Sequence, residues 1–483
     1  MLPHILFHHF SRLLARSYYR IKVSGERIPH TGPVLIVANH PNSLLDPALV
    51  AWAAGRPVRF LARAPLFDHP GLGWFIRGMG SIPIYRAMDR PELTVRNEDT
   101  FRAVWKALAE EGAAVGIFPE GLTHGGPTLA PLKSGAARIA LGAAGSMGRT
   151  FPIIPVGLTF RAKEEFRSDA LALVGSPVEW DDLATGAPNT PETVRTLTHR
   201  ISQRLHEVTL NLERWEDAPL VEAVEAIHRA EFGGGDDPGT LLRRSREVNR
   251  SLALVRQRET AQDAELAREV RRHHRILNRL NLRPQDLRSV PSASVALRWA
   301  ARGVFFFGFL APLALLGQLV FWSPQRFIGL VEERLDLSPE LRASYKVMGG
   351  TVAFLGWAAI LAAVAGRMWG WEAAVGVLTV LPLLGAAMLA THGRWGEAVQ
   401  ELKRFFLLRG RGDLRQRLLN RQGEIAQRLH DLRRHLEAGG GEEGELLRTG
   451  GSTHPLRPER PSGSSPEENL PGERNLPESK RRL

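Results

Sequence analysis

The chain has 483 residues, too many for one ordinary domain, and 43% of them are hydrophobic, enough for a sizeable core. With 63 Lys and Arg against 51 Asp and Glu, it carries a net charge of +12, which favours anionic partners: phosphorylated substrates, acidic lipid headgroups or nucleic acid. There is no cysteine, which excludes disulfides, thiolate metal sites and a cysteine nucleophile.

The opening stretch MLPHILFHHFSRLLAR is not patterned as a signal peptide, because His4, His8, His9, Arg12 and Arg16 interrupt any clean apolar core. Ile5, Leu6, Phe10, Leu13 and Leu14 fit one helical face, with Arg12, Arg16 and Arg20 on another. Such a helix either lies in a membrane interface or docks on the domain behind it. Residues 30–215 then alternate short apolar runs with helical patterns. Strands are expected over 34–38, 58–61, 82–85, 114–118 and 153–158, and helices over 47–54, 70–78, 91–111, 134–144 and 191–214. Several of the helices open on proline, which suits a first helical turn, and the alternation predicts an α/β sheet. Residues 216–290 are charged and helical with no strand signal; the adjacent His273 and His274 cannot share one helix face and read as solvated surface, not a metal pair.

Three runs without formal charge follow, 303–322, 347–366 and 373–390, with Trp322, Trp369 and Trp371 at their ends. Their length and interfacial aromatics predict membrane-spanning helices, two or three in number. Arg298 and Arg302 precede the first run; Arg394, Lys403, Arg404, Arg409 and Arg411 follow the third. Both flanks therefore ask to be cytoplasmic, which favours an even number of crossings, and Pro312 in the first run points to a kink or a re-entrant segment. Residues 393–437 read as a basic amphipathic helix suited to anionic lipid, and 438–483 as a disordered tail. The expected organisation is thus 1–215, 216–290, 291–392, 393–437 and 438–483.

The chemistry concentrates in ANHPNSLLDP at 38–47. A strand ending near Ala38 would put His40 and Asp46 just beyond its carboxyl end, where open α/β sheets place their ligands. Pro41 argues against a continuous helix through them, and a turn at Asn42-Ser43 can fold Asp46 back toward His40. An imidazole can take a proton from an attacking hydroxyl, and a carboxylate on its other nitrogen fixes the tautomer and stabilises the imidazolium. The alternative is structural: Asp46-Pro47 is also a good helix cap followed by a first turn.

Three further blocks accompany this one: GSIPIYR at 80–86, closing on Arg86; GIFPEGLTHGG at 116–126, followed by PLKSGAARIAL; and IIPVGL at 153–158. In this order and spacing the four blocks resemble the phospholipid/glycerol acyltransferase superfamily over roughly residues 20–215. Its marks are an NH-x4-D block, a G-x-x-x-I-x-R block, FPEG with a basic or polar pair, and a proline-bearing apolar strand. Two departures stand out. Five residues, not four, separate His40 from Asp46, and the arginine that usually follows FPEG is replaced in Leu122-Thr123-His124. Both departures are similar to the fungal-type, membrane-bound glycerol-3-phosphate/dihydroxyacetone-phosphate acyltransferases.

The resemblance implies an α/β domain with a mixed sheet flanked by helices, and direct acyl transfer in phospholipid biosynthesis. In that reaction His40, backed by Asp46, deprotonates a glycerol hydroxyl that attacks the thioester of acyl-CoA or acyl-carrier protein. Arg86 would hold the acceptor phosphate, Glu120 and Gly121 would shape the pocket, and His124 and Lys133 are further candidate contacts in place of the missing arginine. No metal and no cofactor beyond the acyl donor is implied. The partners would be the bilayer, the thioester and a phosphorylated glycerol acceptor, and the domain would face the cytoplasm from an integral membrane protein. Lysophosphatidate is the rival acceptor, and a non-catalytic lipid-binding relative is the rival role. A serine hydrolase would need G-x-S-x-G, and a nucleotide enzyme a complete glycine-rich phosphate loop; neither motif is found. Nucleic-acid binding would leave the uncharged runs unexplained, so no nucleic-acid partner is expected.

Overall fold

The computed structural model describes residues 2–86, 97–184, 190–235, 237–258, 260–288, 293–335, 339–391, 407, 410 and 412–438. Its centre is a seven-stranded sheet of β1 (Arg20–Gly25), β2 (Val34–Ala38), β3 (Val58–Arg63), β4 (Ile82–Ile84), β5 (Ala114–Ile117), β6 (Ile153–Phe160) and β7 (Asp169–Val174). The order is β1-β7-β6-β2-β5-β3-β4. Only the β6–β7 pair is antiparallel, so the sheet is mixed. Strand β2 lies in the middle and all five of its residues are buried. A central strand covered on both faces needs a continuous apolar run, and Val34-Leu35-Ile36-Val37-Ala38 supplies one.

Fifteen helices flank or follow the sheet among the described residues. They are α1 (Leu2–Tyr18), α2 (Leu45–Ala54), α3 (Ala64–Phe67), α4 (Pro70–Gly78), α5 (Asn97–Ala109), α6 (Gly135–Met147), α7 (Asp181–Ala184) and α8 (Pro191–Val208) in the first part. They continue as α9 (Ala218–Phe232), α10 (Pro238–Arg258), α11 (Ala261–Arg279), α12 (Ala293–Leu335), α13 (Pro339–Trp369), α14 (Trp371–Thr391) and α15 (Gly412–Ala438). The alternation of side chains along β2 divides the core in two. Leu35 and Val37 join Val104, Leu108, Ile139, Leu141, Leu197 and Ile201 of α5, α6 and α8 on one face. Val34, Ile36 and Ala38 join Tyr18, Tyr19, Leu49 and Val50 on the other.

The strands expected from sequence all form, within two residues at each end. Strands β1 and β7 were not expected. Arg20–Gly25 lies at the sheet edge, is only half-buried and has no apolar run; in Asp169–Val174 an Ala-Leu-Ala-Leu repeat reads equally as helix. The helix expected over 191–214 stops at Val208, and that over 91–111 is described from Asn97 onward, its first residues lying outside the described ones.

Helix α1 docks one of its faces on the domain. His8, Ser11, Ala15 and Tyr18 are buried, and the Arg12 and Arg16 guanidinium groups lie 5.0 and 5.3 Å from the Trp52 ring centre. Its other apolar face, Ile5, Leu6, Phe10 and Leu13, stays exposed beside the exposed Trp74.

Beyond the sheet domain, α9, α11 and α15 share a core of Leu220, Ile227, Leu266, Val270, Ile425 and Ala426, against which Leu252 of α10 packs. The solvated pair expected at His273 and His274 is corrected here. His273 is buried, with its Nε2 3.4 Å from Gln422 Oε1 of α15, because one face of α11 is covered; His274 is half-buried, with its Nε2 2.8 Å from Asn278 Nδ2. Burial lowers the His273 pKa and favours the neutral ring.

Helices over Ser344–Trp369 and Trp371–Thr391 are long and apolar enough to cross a membrane. The first uncharged run lies in α12, which continues as one helix through Pro312 and Pro324. Residues 392–406, Arg409, Arg411 and the tail expected to be disordered, 439–483, fall outside the described residues.

The end of α8 sits directly on β6: a Cβ at Gly157 would lie 1.8 Å from the Val208 carbonyl oxygen. Gly157→Ala is therefore expected to lower the thermal unfolding midpoint in detergent more than Ile154→Val, a conservative truncation that costs about 1 kcal/mol; fluorescence-detected melting of the two variants checks the order.

Candidate active site

Because β2, β3, β4, β5 and β6 run parallel, their carboxyl ends share one edge; the first three sequence blocks leave the sheet there, and the fourth is strand β6 itself. The loop after β2 is fastened first. Asn39 gives both halves of its amide to the backbone of β6: Nδ2 donates to Leu158 O at 3.0 Å, and Oδ1 accepts the Leu158 N–H at 2.7 Å.

His40 follows, with Nδ1 2.8 Å from Asp46 Oδ2. The same oxygen accepts the Asn42 N–H at 2.7 Å. The loop closes because Ser43 adopts a left-handed conformation, φ 48°, which brings the first turn of α2 back under the histidine. Asp46 does not cap its helix: Leu44 occupies the cap position and has no side-chain cap. The carboxylate goes to the imidazole instead, so the capping alternative fails. Asp46 is fully buried, which pushes its pKa up, while the His40 contact and the Asn42 N–H pull it back down. With Nδ1 engaged, His40 Nε2 is the nitrogen left to act as a base; it has no hydrogen-bond partner among the described residues.

The FPEG block fixes the plane and the backbone of that histidine. Phe118 stacks on the imidazole, ring centres 4.0 Å apart and planes 11° from parallel, and Phe60 stacks behind Phe118 at 5.8 Å. Glu120 is buried; its Oε1 accepts the His40 N–H at 2.9 Å, and its Oε2 accepts the Ala130 N–H at 2.8 Å. His124 Nε2 lies 2.5 Å from Glu120 Oε2, while His124 Nδ1 accepts the Gly126 N–H at 3.0 Å. That arrangement requires the Nε2–H tautomer, donating to the carboxylate. The His124 N–H also faces the His40 carbonyl at 3.4 Å, so His40 is held at both backbone groups.

Gly121 takes φ +73°, a conformation that suits glycine, and its carbonyl accepts Arg86 Nη1 at 2.6 Å. Arg86 thereby reaches the site from beyond β4 at the far edge of the sheet. Lys133 donates its backbone N–H to Pro119 O at 2.7 Å and extends an exposed side chain past Gly121. All seven sequence-derived residues thus meet at one end of the sheet. His40, Asp46, Glu120 and His124 share one hydrogen-bond network, and Arg86, Gly121 and Lys133 form its rim.

Sequence reasoning missed the layer beneath. Asn42 is buried and donates to the Tyr19 hydroxyl at 2.6 Å, and Tyr19 in turn donates to the Lys163 carbonyl. Burial raises the Tyr19 pKa, so the phenol stays neutral and can donate. Lys163 Nζ lies 3.5 Å from the Pro41 carbonyl. Asn39 lies inside the quoted block without an assigned task, and Asn42 was read only as part of a turn; Tyr19 and Lys163 come from remote parts of the chain and carry no local signal.

Comparison with known proteins fits this geometry. Residues 20–159 match the Acyltransferase family model. The chain is 32% identical over 140 residues to Glycerol-3-phosphate O-acyltransferase 2 of Saccharomyces cerevisiae, covering 28% of this chain and 18% of that protein. It is 26% identical over 187 residues to Glycerol-3-phosphate O-acyltransferase 1 of the same yeast, covering 38% and 24%. With the chloroplastic 1-acyl-sn-glycerol-3-phosphate acyltransferase BAT2 of Brassica napus it shares 30% identity over 159 residues, 32% of this chain and 42% of that protein. The chain therefore spans less than half the length of each of these relatives. The stretch that matches the Acyltransferase family model is the one that carries the His40–Asp46 pair, the FPEG turn and strands β1 to β6.

Proposed function

We propose that the chain is a membrane-bound glycerolipid acyltransferase that moves a fatty acyl group from acyl-CoA or acyl-carrier protein to a hydroxyl of glycerol 3-phosphate or dihydroxyacetone phosphate. The observation that carries this reading is the His40–Asp46 contact, which occupies Nδ1 and leaves Nε2 as the base. Nε2 takes the proton of the acceptor hydroxyl as its oxygen attacks the thioester carbonyl. The tetrahedral intermediate then expels the thiolate, which recovers the proton from the imidazolium. Asp46 stabilises that imidazolium and holds the ring. A thioester has a good leaving group, so a positioned base and two aligned substrates account for the chemistry without a covalent enzyme intermediate. Arg86 and Lys133 at the rim suit a phosphate, through a guanidinium fork and a mobile ammonium.

A small phosphorylated acceptor is favoured by the five-residue spacing and by His124. Lysophosphatidate is the second reading, supported by the name of the Brassica relative. The complete dyad argues against a non-catalytic lipid-binding role. The two apolar helices support integral membrane attachment, and the arginines around the uncharged runs support a cytoplasmic acyltransferase domain.

Three measurements test the reading. Membranes carrying the wild-type chain are offered labelled glycerol 3-phosphate, dihydroxyacetone phosphate and lysophosphatidate, each with both donors. One acceptor should yield product, and His40→Ala should abolish it; activity that survives in that variant removes His40 as the base.

Asp46→Asn should lower kcat by roughly 10²–10⁴-fold, as expected when the histidine loses its anionic partner. The same change should not lower the unfolding midpoint at neutral pH. The folded-state pKa of Asp46 is raised, so its ionised form opposes folding above that pKa, and a neutral isostere removes the opposition. A fall in both activity and midpoint would mark Asp46 as chiefly structural.

Arg86→Ala should raise KM for the phosphorylated acceptor by about 10–100-fold, the equivalent of one charge-assisted hydrogen-bond pair, with donor KM unchanged. An effect confined to donor KM would reassign Arg86 to the thioester side.

A further inference from the structure

We propose that the membrane helix α13 positions the His40–Asp46 dyad, acting through Ser344; this rests on the acyl-transfer reading above. Ser344 is 3% exposed, and its Oγ accepts the Leu44 N–H at 3.2 Å. Leu44 lies between the two dyad residues and caps α2, where a backbone N–H at the helix start needs an acceptor and the helix supplies none. Ser344 provides that acceptor from 300 residues away. One turn further along α13, Val347 enters the core cluster that holds Tyr18, Tyr19, Leu45 and Leu49.

A second strap runs through the loop between β6 and β7. Arg342 Nη1 pairs with Glu164 Oε2 at 3.1 Å, and Lys346 Nζ donates to the Glu164 carbonyl at 3.3 Å. The Tyr18 hydroxyl donates to that same carbonyl at 3.0 Å. The adjoining Lys163 touches Pro41 and receives Tyr19, which holds Asn42. The catalytic loop is thus gripped at Pro41, Asn42 and Leu44 by contacts that lead to the first turns of α13.

The grip has a physical purpose. Ser43 sits in a left-handed conformation that costs a non-glycine residue on the order of 1 kcal/mol, and such a conformation persists only where its surroundings over-determine it. Ser43 lies between Asn42, held by Tyr19, and Leu44, held by Ser344. Ser344 lies one turn before the uncharged run of α13, which opens at Val347. The residue that finishes the catalytic loop therefore stands on the same helix as an apolar run long enough to cross a membrane, and dyad geometry depends on a docked α13. Ser344 is a positioning residue, because its hydroxyl is committed to the loop backbone and not to a substrate.

The absence of native cysteine makes the contact directly testable. A Leu44→Cys/Ser344→Cys double variant in membranes should be joined by a short bifunctional thiol reagent, read as a cross-linked peptide pair by mass spectrometry, whether or not the chain turns over. In separate kinetics, Ser344→Ala should lower kcat about 10–100-fold, the cost of misplacing a base, with KM for donor and acceptor held within about twofold. Ser344→Thr, which keeps the hydroxyl, should restore most of kcat. Reversing one charge with Arg342→Glu should lower kcat too, and adding Glu164→Arg should recover it. No cross-link overturns the contact. A cross-link together with full kcat in Ser344→Ala overturns the positioning role. Wild-type membranes that form no acyl product from any acceptor, with the cross-link intact, overturn the acyl-transfer reading and its dyad role but leave the contact standing.

Discussion

Much of this site depends on one buried carboxylate. Removing Glu120 from water is costly unless its lone pairs are met, and here they are met by the His40 N–H, the Ala130 N–H and the His124 imidazole. Those donors belong to two loops that leave neighbouring strands, β2 and β5. Satisfying the carboxylate and aligning the loops are therefore one event. Glu120 lies behind the base rather than beside it, and its first task is to hold the His40 backbone while Phe118 holds the ring.

The sheet makes that arrangement inexpensive. Parallel strands deliver successive loops to the same edge, so residues 40, 86, 120 and 133 need no long excursions to meet. Asn39, locked to Leu158 on the other side, prevents the loop after β2 from sliding along the edge. In the loop after β2, Ser43 takes a left-handed conformation, and that turn brings Asp46 under the histidine. Five intervening residues are thus compatible with a tight dyad, provided that one of them turns left-handed.

The reading from sequence reached far for residues whose role is local and less far for those whose role is relational. Apolar runs placed β2, β3, β5 and β6 because buried interior strands must be continuous, and the short Ile82-Pro83-Ile84 run placed the edge strand β4. Arg20–Gly25 and Asp169–Val174 escaped because edge position and helix-like composition blur the pattern. His40 and Asp46 were legible as a pair, although their spacing fitted a helix cap equally well. The difference was made by Leu44, a residue with no cap to offer. Tyr19, Lys163 and Ser344 were beyond reach, since each matters only through a partner far away in the chain. His273 was misread for a related reason: an arginine-rich helix looks solvated until a second helix covers one of its faces.

The meeting of Ser344 with the catalytic loop also sets a depth. An α-helix rises about 1.5 Å per residue, so on the acyl-transfer reading proposed above a base tied to Ser344, one turn before the uncharged run at Val347, would work close to the hydrocarbon boundary. A long-chain acyl group exposed to water costs about 0.8 kcal/mol for each methylene, more than ten kcal/mol for a common fatty acid. On that reading, a reaction centre at that depth would let the tail stay in oil while the polar headgroup is assembled in water. The exposed apolar face of α1, with Trp74 beside it, gives the domain a second apolar surface that can meet the same boundary. An acyltransferase built this way would never lift its product out of the bilayer: release would be lateral diffusion, and the hydrophobic barrier to desorption would not enter the catalytic cycle.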